Sequence, residues 1–320
     1  MSFTIIGTGK AVPKKMVTND MLAEFLDTSD EWISERTGIR QRRVITDETV
    51  LSLAAEAGKD AMSDAGISPE EIDAVVCSTL QGDFISPSLS CLVAKELEIK
   101  TGRMIDLNMG CCGFIFALDV ADGYIGSGRA ENVLVVCAEQ ISKIADWNDR
   151  STCVLFGDGA GAAVVRKSDT LTDFSLKTDG NSAPLYINGK SGNCPYRTNA
   201  PEDEFLKMNG QEIFKFAVSS ITSDIRGILK KNDLTDDDIS YYVLHQANLR
   251  IINFARVRLK LDDEKVPHNV EHYGNTSSAS VAIMLDELNK EDKLKKGDKV
   301  VLCAFGAGLA RAACVFEWGK

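Results

Sequence analysis

An internal repeat is the feature of this sequence that most constrains its fold. Residues 67–76 (ISPEEIDAVV) are matched by residues 234–243 (LTDDDISYYV), and each segment is an acidic turn that runs into an apolar strand. A second pair, NVLVVCA from Asn132 and KVVLCA from Lys299, has nearly the same offset. The repeat predicts two related halves that share one order of elements.

Patterns of helical spacing lie between these predicted strands. Alternating strands and helices are typical of an α/β fold with buried central sheets. A polar stretch at residues 167–172 marks the boundary, so the predicted halves are residues 1–168 and 169–320. The helical patterns cover residues 51–65, 89–97, 114–125, 212–229 and 279–288.

Composition narrows the class of protein further. A chain of 320 residues with 44% hydrophobic content can bury a large core. No apolar stretch approaches the ~18 residues of a membrane span, and the N-terminus lacks a signal peptide pattern, so we expect a cytoplasmic protein without membrane contact. The nine cysteines have no regular spacing, which favours reduced thiols. The net charge of −11 argues against non-specific nucleic-acid binding.

One cysteine stands in a context suited to catalysis. Cys111 lies in the sequence NMGCCGF, directly before a predicted apolar helix. A helix N-terminus would lower the thiol pKa from about 8.5 toward neutrality, as a nucleophile requires. Four other cysteines lie inside apolar strand-like runs and are predicted to be buried and inert: Cys77, Cys137, Cys303 and Cys314.

Two polar residues downstream complete a possible thiol acyl-transfer site. His245 follows an apolar strand and begins the sequence HQAN, and Asn275 stands between Gly274 and Thr276. Asn275 comes 164 residues after Cys111. We therefore expect these two residues to occupy matching places in the two halves and to meet near the axis that relates them.

A possible metal motif can be set aside. The sequence HNVEH at residues 268–272 matches the H-x-x-E-H pattern of some zinc peptidases. Both histidines would have to lie on one helix face, but Pro267 before the motif and Gly274 after it leave barely one turn. We therefore predict no metal site.

Five motifs, considered together, carry a resemblance to a known family. They are WISERTGI at 32–39, the Cys111 segment, FGDGAG at 156–161, HQANLR at 245–250 and GNTSSAS at 274–280. In order and spacing they resemble the β-ketoacyl-acyl-carrier-protein synthase III family. The resemblance implies a thiolase-like fold, in which duplicated α/β halves form a five-layer α/β/α/β/α sandwich, and a homodimer. It also implies condensation of an acyl-CoA primer with malonyl-acyl carrier protein, which begins fatty acid synthesis, with acyl-CoA as a substrate and no permanently bound cofactor.

The resemblance also implies catalytic roles. Cys111 would carry the acyl group, and the backbone N–H groups of Cys111 and Ala307 would bind its oxyanion. His245 and Asn275 would donate hydrogen bonds to the enolate that forms when the malonyl group loses CO₂. Ser86 stands where some relatives carry a phenylalanine that gates chain length, so the preferred primer stays open.

Binding residues follow from the same resemblance. Trp32 and Arg150 would stack on the adenine of CoA. The phosphates and the pantetheine arm would contact Thr28, Arg36, Thr37, Gly210, Phe214 and Asn248. Residues 245–260 contain no acidic side chain, so we expect the carrier protein to dock on basic residues at this point. These residues are Arg250, Arg256 and Arg258, with Lys215 from a neighbouring helix.

Two other functions remain open. A starter-unit or ketoacyl synthase of secondary metabolism with the thiolase fold would use the same Cys, His and Asn with another acceptor. A non-catalytic scaffold that binds acyl-CoA or a carrier protein would keep Trp32 and Arg36. Such a scaffold has no need of the three catalytic residues, which disfavours it.

Overall fold

The computed structural model describes residues 2–189, 192, 194–196 and 203–320. Its strands are β1 (Ser2–Ala11), β2 (Lys15–Thr18), β3 (Gln41–Val44), β4 (Ala74–Ser78), β5 (Met104–Leu107), β6 (Asn132–Glu139), β7 (Gly159–Ser168), β8 (Thr172–Asn181), β9 (Leu185–Ile187), β10 (Leu206–Met208), β11 (Tyr241–Leu244), β12 (Lys299–Gly306) and β13 (Gly308–Glu317). Its α-helices are α1 (Asn19–Ala23), α2 (Asp30–Thr37), α3 (Val50–Ala65), α4 (Leu89–Glu96), α5 (Gly113–Gly126), α6 (Gly210–Lys231), α7 (Leu249–Leu259), α8 (Val270–Tyr273) and α9 (Ala279–Lys290).

Two sheets with the same topology form the framework. The first has the order β1-β7-β6-β4-β5 and the second has the order β8-β13-β12-β11. In both, the first three strands are antiparallel and the next strand is parallel to its neighbour. Val75 pairs with Leu134 in the first sheet, and the residues 167 positions later, Tyr242 and Val301, pair in the second. The sequence repeat is therefore also a structural repeat.

The two sheets are formed by separate parts of the chain. Every strand of the first sheet ends by Ser168, and every strand of the second begins at Thr172 or later. The boundary between residues 168 and 169 stays a prediction, which this arrangement supports.

Helices form the other three layers. Helices α5 and α9 lie between the sheets, and α5 contacts strands of both. Helices α3 and α4 cover the outer face of the first sheet. Helices α6 and α7 cover the outer face of the second. The five-layer α/β/α/β/α sandwich predicted from the sequence is confirmed.

The position of each helix follows from its side chains. Helix α5 is apolar on several sides, and its Phe114, Ile115 and Leu118 are at most 1% exposed, as a helix between two sheets requires. Helix α6 instead buries one stripe against the second sheet, which includes Ala217 and Ile221, and exposes polar residues elsewhere. The helices in the described part of the chain include none that could cross a membrane.

Strand β5 lies at one edge of the first sheet. Within the described residues, β5 pairs only with β4, and Ile105 on β5 is 36% exposed. An edge strand of this kind offers unpaired backbone groups to another chain.

Candidate active site

A cavity of about 200 Å³ lies where the two halves meet. Its walls are mostly apolar and include Leu80, Ile141, Phe156, Leu206 and Phe305. Polar groups from both halves also line it: Cys111, His245, Asn248, Asn275 and Ser277. An apolar cavity with a few convergent polar groups is the usual form of a substrate site.

Cys111 is positioned by close packing between the halves. It lies in a 3₁₀ turn, Gly110–Cys112, directly before α5. Gly306, at the end of β12, packs against it, and a Cβ atom at residue 306 would lie 3.0 Å from Cys111 Cβ. Glycine, which has no Cβ atom, avoids this tight contact. The packing brings the turn that contains Ala307 to the wall of the same cavity.

The environment of the Cys111 thiol differs from the sequence prediction. Burial raises the pKa of Cys111 to about 12, the Ser277 hydroxyl lowers the pKa, and the charge of Glu139 raises it. The prediction of a thiol pKa lowered by the helix terminus is therefore wrong, because desolvation outweighs the backbone effect. The thiol is protonated at neutral pH and needs a base before it can react.

His245 is held as a neutral hydrogen-bond donor. Its ring Nδ1 lies 2.7 Å from Ser280 Oγ, and this hydroxyl oxygen accepts a hydrogen bond from the Gln246 N–H at 3.3 Å. In the tautomer with the ring hydrogen on Nε2, the Ser280 hydroxyl donates to Nδ1 and the Nε2–H group stays available as a donor. Burial lowers the pKa of His245 to about 3. The ring is therefore uncharged.

Asn275 joins the halves and offers an amide to the cavity. Its backbone N–H donates to Leu155 O at 2.8 Å, and its carbonyl accepts from the Gly157 N–H at 3.1 Å. Its side-chain oxygen accepts from the Ser277 N–H at 2.9 Å. The side-chain Nδ2 group is thus the donor available to a substrate in the cavity.

Ser277, rather than Asn275, occupies the place that matches Cys111. Helices α5 and α9 begin 166 residues apart, at Gly113 and Ala279, and Ser277 comes 166 residues after Cys111. Ser277 Oγ lies 3.6 Å from Cys111 Sγ. The sequence prediction for Asn275 was wrong by two positions. Near these two helices, matching residues of the two halves are 166 positions apart, whereas Asn275 comes 164 positions after Cys111. The same offset is the signal that could have found Ser277.

A buried carboxylate beside this pair was also missed. Glu139, the last residue of β6, is 1% exposed. It accepts hydrogen bonds from the Leu80 N–H at 2.9 Å and from Ser278 Oγ at 2.6 Å. Burial raises the pKa of Glu139 to about 7, against the lowering effect of these bonds and of Ser277. An acidic residue at the carboxyl end of an apolar parallel strand was the available signal.

The predicted adenine site is closed in this structure. The Arg150 guanidinium carbon lies 5.2 Å from the centre of the Trp32 ring, and Arg36 lies 4.7 Å from it. A flat ring stacked between two groups needs about 7 Å, or two van der Waals separations. Arg150 would have to move, and Asp27 Oδ2, 3.0 Å away, now holds it. The Thr28 hydroxyl nearby is buried and has no hydrogen-bond partner among the described residues.

Thr37 does not fit its predicted role. Its hydroxyl donates to Ile33 O at 2.6 Å and accepts from the Ile39 N–H at 3.0 Å, and the residue is 4% exposed. The side chain therefore stabilises the end of α2 and does not reach the cavity, which corrects the sequence-based assignment. A threonine hydroxyl in a helix commonly donates to the backbone carbonyl four residues earlier.

Three other predicted CoA contacts do line the cavity. Gly210 begins α6, and Phe214 lies one turn further along it. Asn248 caps α7 by accepting from the Arg250 N–H at 2.8 Å, and its Nδ2 donates to Arg36 O at 3.2 Å. This bond ties the cavity mouth to the helix that carries Trp32.

An exposed surface on α7 combines basic and apolar side chains. We call Arg250, Phe254, Val257 and Arg258 the α7 face, because at 100° per residue they lie within about 100° around the helix axis. All four are exposed, and Arg250 lies 6.0 Å from the centre of the Phe214 ring. Lys215 is exposed on the adjacent α6. Sequence analysis did not predict a role for Phe254 and Val257.

Arg256 lies outside the α7 face. It is turned about 120° from Arg250 around the helix. Its Nε forms an ion pair with Asp263 Oδ1 at 3.1 Å. The docking role of Arg256 stays a prediction, which this orientation and ion pair do not favour.

The HNVEH segment has no metal-site geometry. Helix α8 is only one turn long, and His268 Nδ1 lies 2.9 Å from Glu271 Oε1. In the described ranges, no group of three or more His, Cys, Asp or Glu side chains could hold an ion.

The duplicated sheets and the cavity between them define a condensing enzyme of the thiolase fold. Residues 105–180 match the family model of 3-oxoacyl-[acyl-carrier-protein] synthase III, and residues 229–318 match the model of its C-terminal part. The chain is 43% identical to beta-ketoacyl-[acyl-carrier-protein] synthase III of Clostridium acetobutylicum, over 100% of this chain and 99% of that protein. The chain belongs to the 3-oxoacyl-[acyl-carrier-protein] synthase III family.

Solved structures agree with this assignment. The 3-oxoacyl-[acyl-carrier-protein] synthase III of Aquifex aeolicus superposes with a TM-score of 0.92 at 41% identity, covering 99% of this chain and 100% of that one. The priming β-ketosynthase of the R1128 polyketide pathway superposes with a TM-score of 0.93 at 36% identity, covering 100% and 97%. The predicted family and fold are both confirmed.

Proposed function

We propose that this chain condenses an acyl-CoA primer with malonyl-acyl carrier protein to give 3-oxoacyl-acyl carrier protein, the step that initiates fatty acid synthesis. The observation that carries the proposal is the convergence of Cys111, His245 and Asn275 on one cavity, in a chain of this family. The reaction has two stages, acylation of Cys111 and condensation with the malonyl group.

The first stage is transfer of the acyl group to Cys111. The thiolate attacks the thioester carbonyl of acyl-CoA, and the bond to the CoA sulfur breaks. Negative charge develops on the carbonyl oxygen. The backbone N–H groups of Cys111 and Ala307 would stabilise it, since the close contact at Gly306 keeps the two peptide segments together.

The second stage is condensation. Loss of CO₂ from the malonyl group leaves an enolate, which attacks the acyl group on Cys111 and releases the thiolate. His245 Nε2–H and the Asn275 amide would donate hydrogen bonds to the enolate oxygen. The low pKa of His245, about 3, supports this role, because a neutral ring donates to an oxyanion but is a weak base.

Substrate access is assigned to two neighbouring surfaces. Acyl-CoA would bind with its adenine against Trp32 after Arg150 moves, and the buried Thr28 hydroxyl would gain a partner. The pantetheine arm would pass Gly210, Phe214 and Asn248. The carrier protein would dock on the α7 face and Lys215. An acyl carrier protein is expected to be acidic, so a chain of net charge −11 needs a local basic surface to bind it.

Assembly and location are part of the proposal. A second copy of the chain would pair along the free edge of β5 and cover the exposed Phe84 and Ile85, which are 58% and 85% exposed. All nine cysteines are free, and a thiol nucleophile must stay reduced, which supports the cytoplasm as its location. The reaction as written needs acyl-CoA as a substrate and no resident cofactor.

Priming of a secondary-metabolic pathway is the second candidate function. The 36% identity and TM-score of 0.93 to the R1128 priming β-ketosynthase support this second candidate. Both functions use the same catalytic residues. They differ in the primer and in the carrier protein that receives it.

Labelling with a panel of radioactive acyl-CoAs tests the proposal. We expect one equivalent of label on the peptide that contains Cys111, and its release as a 3-oxoacyl product when malonyl-carrier protein is added. Label on another cysteine, or none from any acyl-CoA, would show that the proposed function is wrong. Competition between fatty-acid and polyketide carrier proteins separates the two candidates.

A further inference from the structure

The two-stage reaction leaves one buried group of the site without a role. Glu139 lies at the end of β6, and the proposed chemistry does not use it. A carboxylate that is almost fully removed from water is costly to keep ionised, even with the hydrogen bonds from Leu80 and Ser278. Its position next to the nucleophile calls for a chemical explanation.

Ser277 connects this carboxylate to the nucleophile. Its Oγ lies 3.6 Å from Cys111 Sγ, and a hydrogen bond from its side chain lowers the pKa of the Glu139 carboxylate. The hydroxyl has one hydrogen, so when it donates to Glu139 its oxygen is left to accept the Cys111 S–H. The Ser277 backbone has a φ of 52°, in the left-handed region that residues other than glycine rarely adopt. Such a conformation persists only where the surroundings enforce it, and this residue carries the hydroxyl that interacts with both the thiol and the carboxylate.

The site offers two bases for the Cys111 proton, and Glu139 is the stronger. Burial raises the pKa of the Cys111 thiol to about 12, so very little thiolate exists at neutral pH without a base. His245 has a pKa of about 3, whereas that of Glu139 is about 7. Cys111 and Cys137 are titratable groups whose pKa values the Glu139 charge raises. Cys137 is fully buried in β6, so it is remote from the substrate.

We propose that Glu139 receives the proton of Cys111 through the Ser277 hydroxyl during acylation and returns it to the departing CoA sulfur. The inference rests on the proposed function, in which Cys111 is the acylated residue. The S–H bond breaks as Sγ bonds to the thioester carbon, and Ser277 accepts this proton while passing its own to Glu139. When the bond from carbon to the CoA sulfur breaks, its electron pair stays on that sulfur, and the proton travels back to it.

A purely electrostatic role for Glu139 predicts the opposite result. The negative charge of Glu139 raises the pKa of Cys111, so removal of the charge alone would increase the thiolate fraction and speed acylation. Removal of a proton acceptor slows acylation instead. The substitution Glu139→Gln keeps the shape of the side chain, and the sign of its effect distinguishes the two roles.

Rapid-quench measurement of Cys111 acylation by acetyl-CoA, between pH 6 and 9, is the test. In the wild type, we expect the rate to rise with pH and level off above about 7. In Glu139→Gln, the rate at pH 7.5 falls about 100-fold or more, as for loss of a general base, and rises tenfold per pH unit without levelling. Decarboxylation of malonyl-carrier protein, which depends on His245 and Asn275, changes less than about threefold.

Two serine variants sharpen the result. Ser277→Gly removes the relay hydroxyl and relieves the left-handed backbone, so acylation falls as in Glu139→Gln while the unfolding temperature rises. Structural damage would lower both the acylation rate and the unfolding temperature. Ser278→Ala removes the other hydroxyl on the carboxylate, which does not contact Cys111, and keeps acylation within a few-fold of wild type.

Each outcome decides the question. Glu139→Gln that acylates as fast as the wild type, or faster, overturns the relay. If that variant does not fold, Ser277→Gly decides alone, and wild-type acylation in it overturns the relay equally. A wild-type protein that takes no label on Cys111 defeats the proposed function and this inference with it, whereas loss in the variants alone supports both.

Discussion

The Ser280 hydroxyl lies 2.7 Å from Nδ1 of His245, and both groups are buried. When the Ser280 hydroxyl donates in this contact, the ring hydrogen lies on Nε2, where it can reach an enolate. Ser280→Ala should slow condensation with malonyl-carrier protein about tenfold, the value of one lost hydrogen bond, and leave acylation by acyl-CoA unchanged. Single-turnover rates of the two stages measure this. Equal loss in both stages would mean that Ser280 supports the fold rather than the ring tautomer.

Cys111 should be the acylated residue, although Cys112 stands next to it. Cys112 is fully buried, and burial raises its pKa well above that of a free thiol. Cys111→Ala should abolish labelling by acyl-CoA. Cys112→Ala should keep most of it and lose about 1 kcal/mol of stability, as for a small core truncation. Mass spectrometry that finds the acyl group on Cys112 would reverse the assignment.

His245 and Asn275 should act mainly in condensation. Replacing either by Ala removes one donor to the enolate, so condensation should fall by about 10²–10³, as for loss of an oxyanion donor. The burst of acylation should remain detectable in both variants. Rapid-quench assays with acyl-CoA alone and with both substrates separate the stages. If acylation is lost as fully as in Cys111→Ala, the division of roles is incorrect.

Charge reversal on the α7 face should weaken carrier-protein docking. Arg250→Glu should raise the KM for malonyl-carrier protein about tenfold at low salt, and the effect should shrink as salt screens it. Arg256→Glu is the matched control, because Arg256 is turned away and paired with Asp263. Its KM should stay close to wild type. Identical carrier-protein kinetics in the two variants would exclude Arg250 as a docking contact.

Glu139 should make stability depend on pH in a defined window. Its pKa rises from an ordinary 4.5 to about 7 on folding, so the folded state favours the protonated form. Stability from this group is therefore lost as pH rises from about 4.5 to about 7. The stability of Glu139→Gln relative to wild type should increase over that window by about 3 kcal/mol, from 1.36 kcal/mol per pKa unit.

Urea unfolding of the two proteins at several pH values measures this difference. Other titrating groups are shared and cancel. A constant difference between pH 4.5 and 8 would show that the carboxylate titrates normally in the folded protein, which bears on the relay independently of any assay of acylation.

The fold could be predicted from the sequence because the repeat and the alternating apolar segments are properties of many residues at once. Residues 67–76 and 234–243 kept their offset, and the paired strands that follow them have the same register. Side-chain partners were harder to predict. Whether the hydroxyl of Thr37 reaches a ligand or its own helix depends on one rotation that no pattern of spacing reveals.

The chemistry of Cys111 shows a second limit. Its place before a helix was predicted, but its pKa depends on how much water the two halves exclude when they meet. Ser277 and Glu139 were missed for a similar reason. They lie far from Cys111 in the sequence, and only the docking of β6 and α9 against α5 brings them beside the thiol.

Cys111 and Ser277 hold corresponding positions in the two repeats, and this has a consequence for how such a site can arise. In an assembly of two identical subunits, a residue close to the twofold axis faces its own image. A cysteine there would meet a second cysteine, and the pair could oxidise to a disulfide. Joining both repeats in one chain lets the two positions differ, so the nucleophile can face a hydroxyl. A near-symmetric scaffold thereby holds a single directional site, with attack from one side and hydrogen-bond donation from the other.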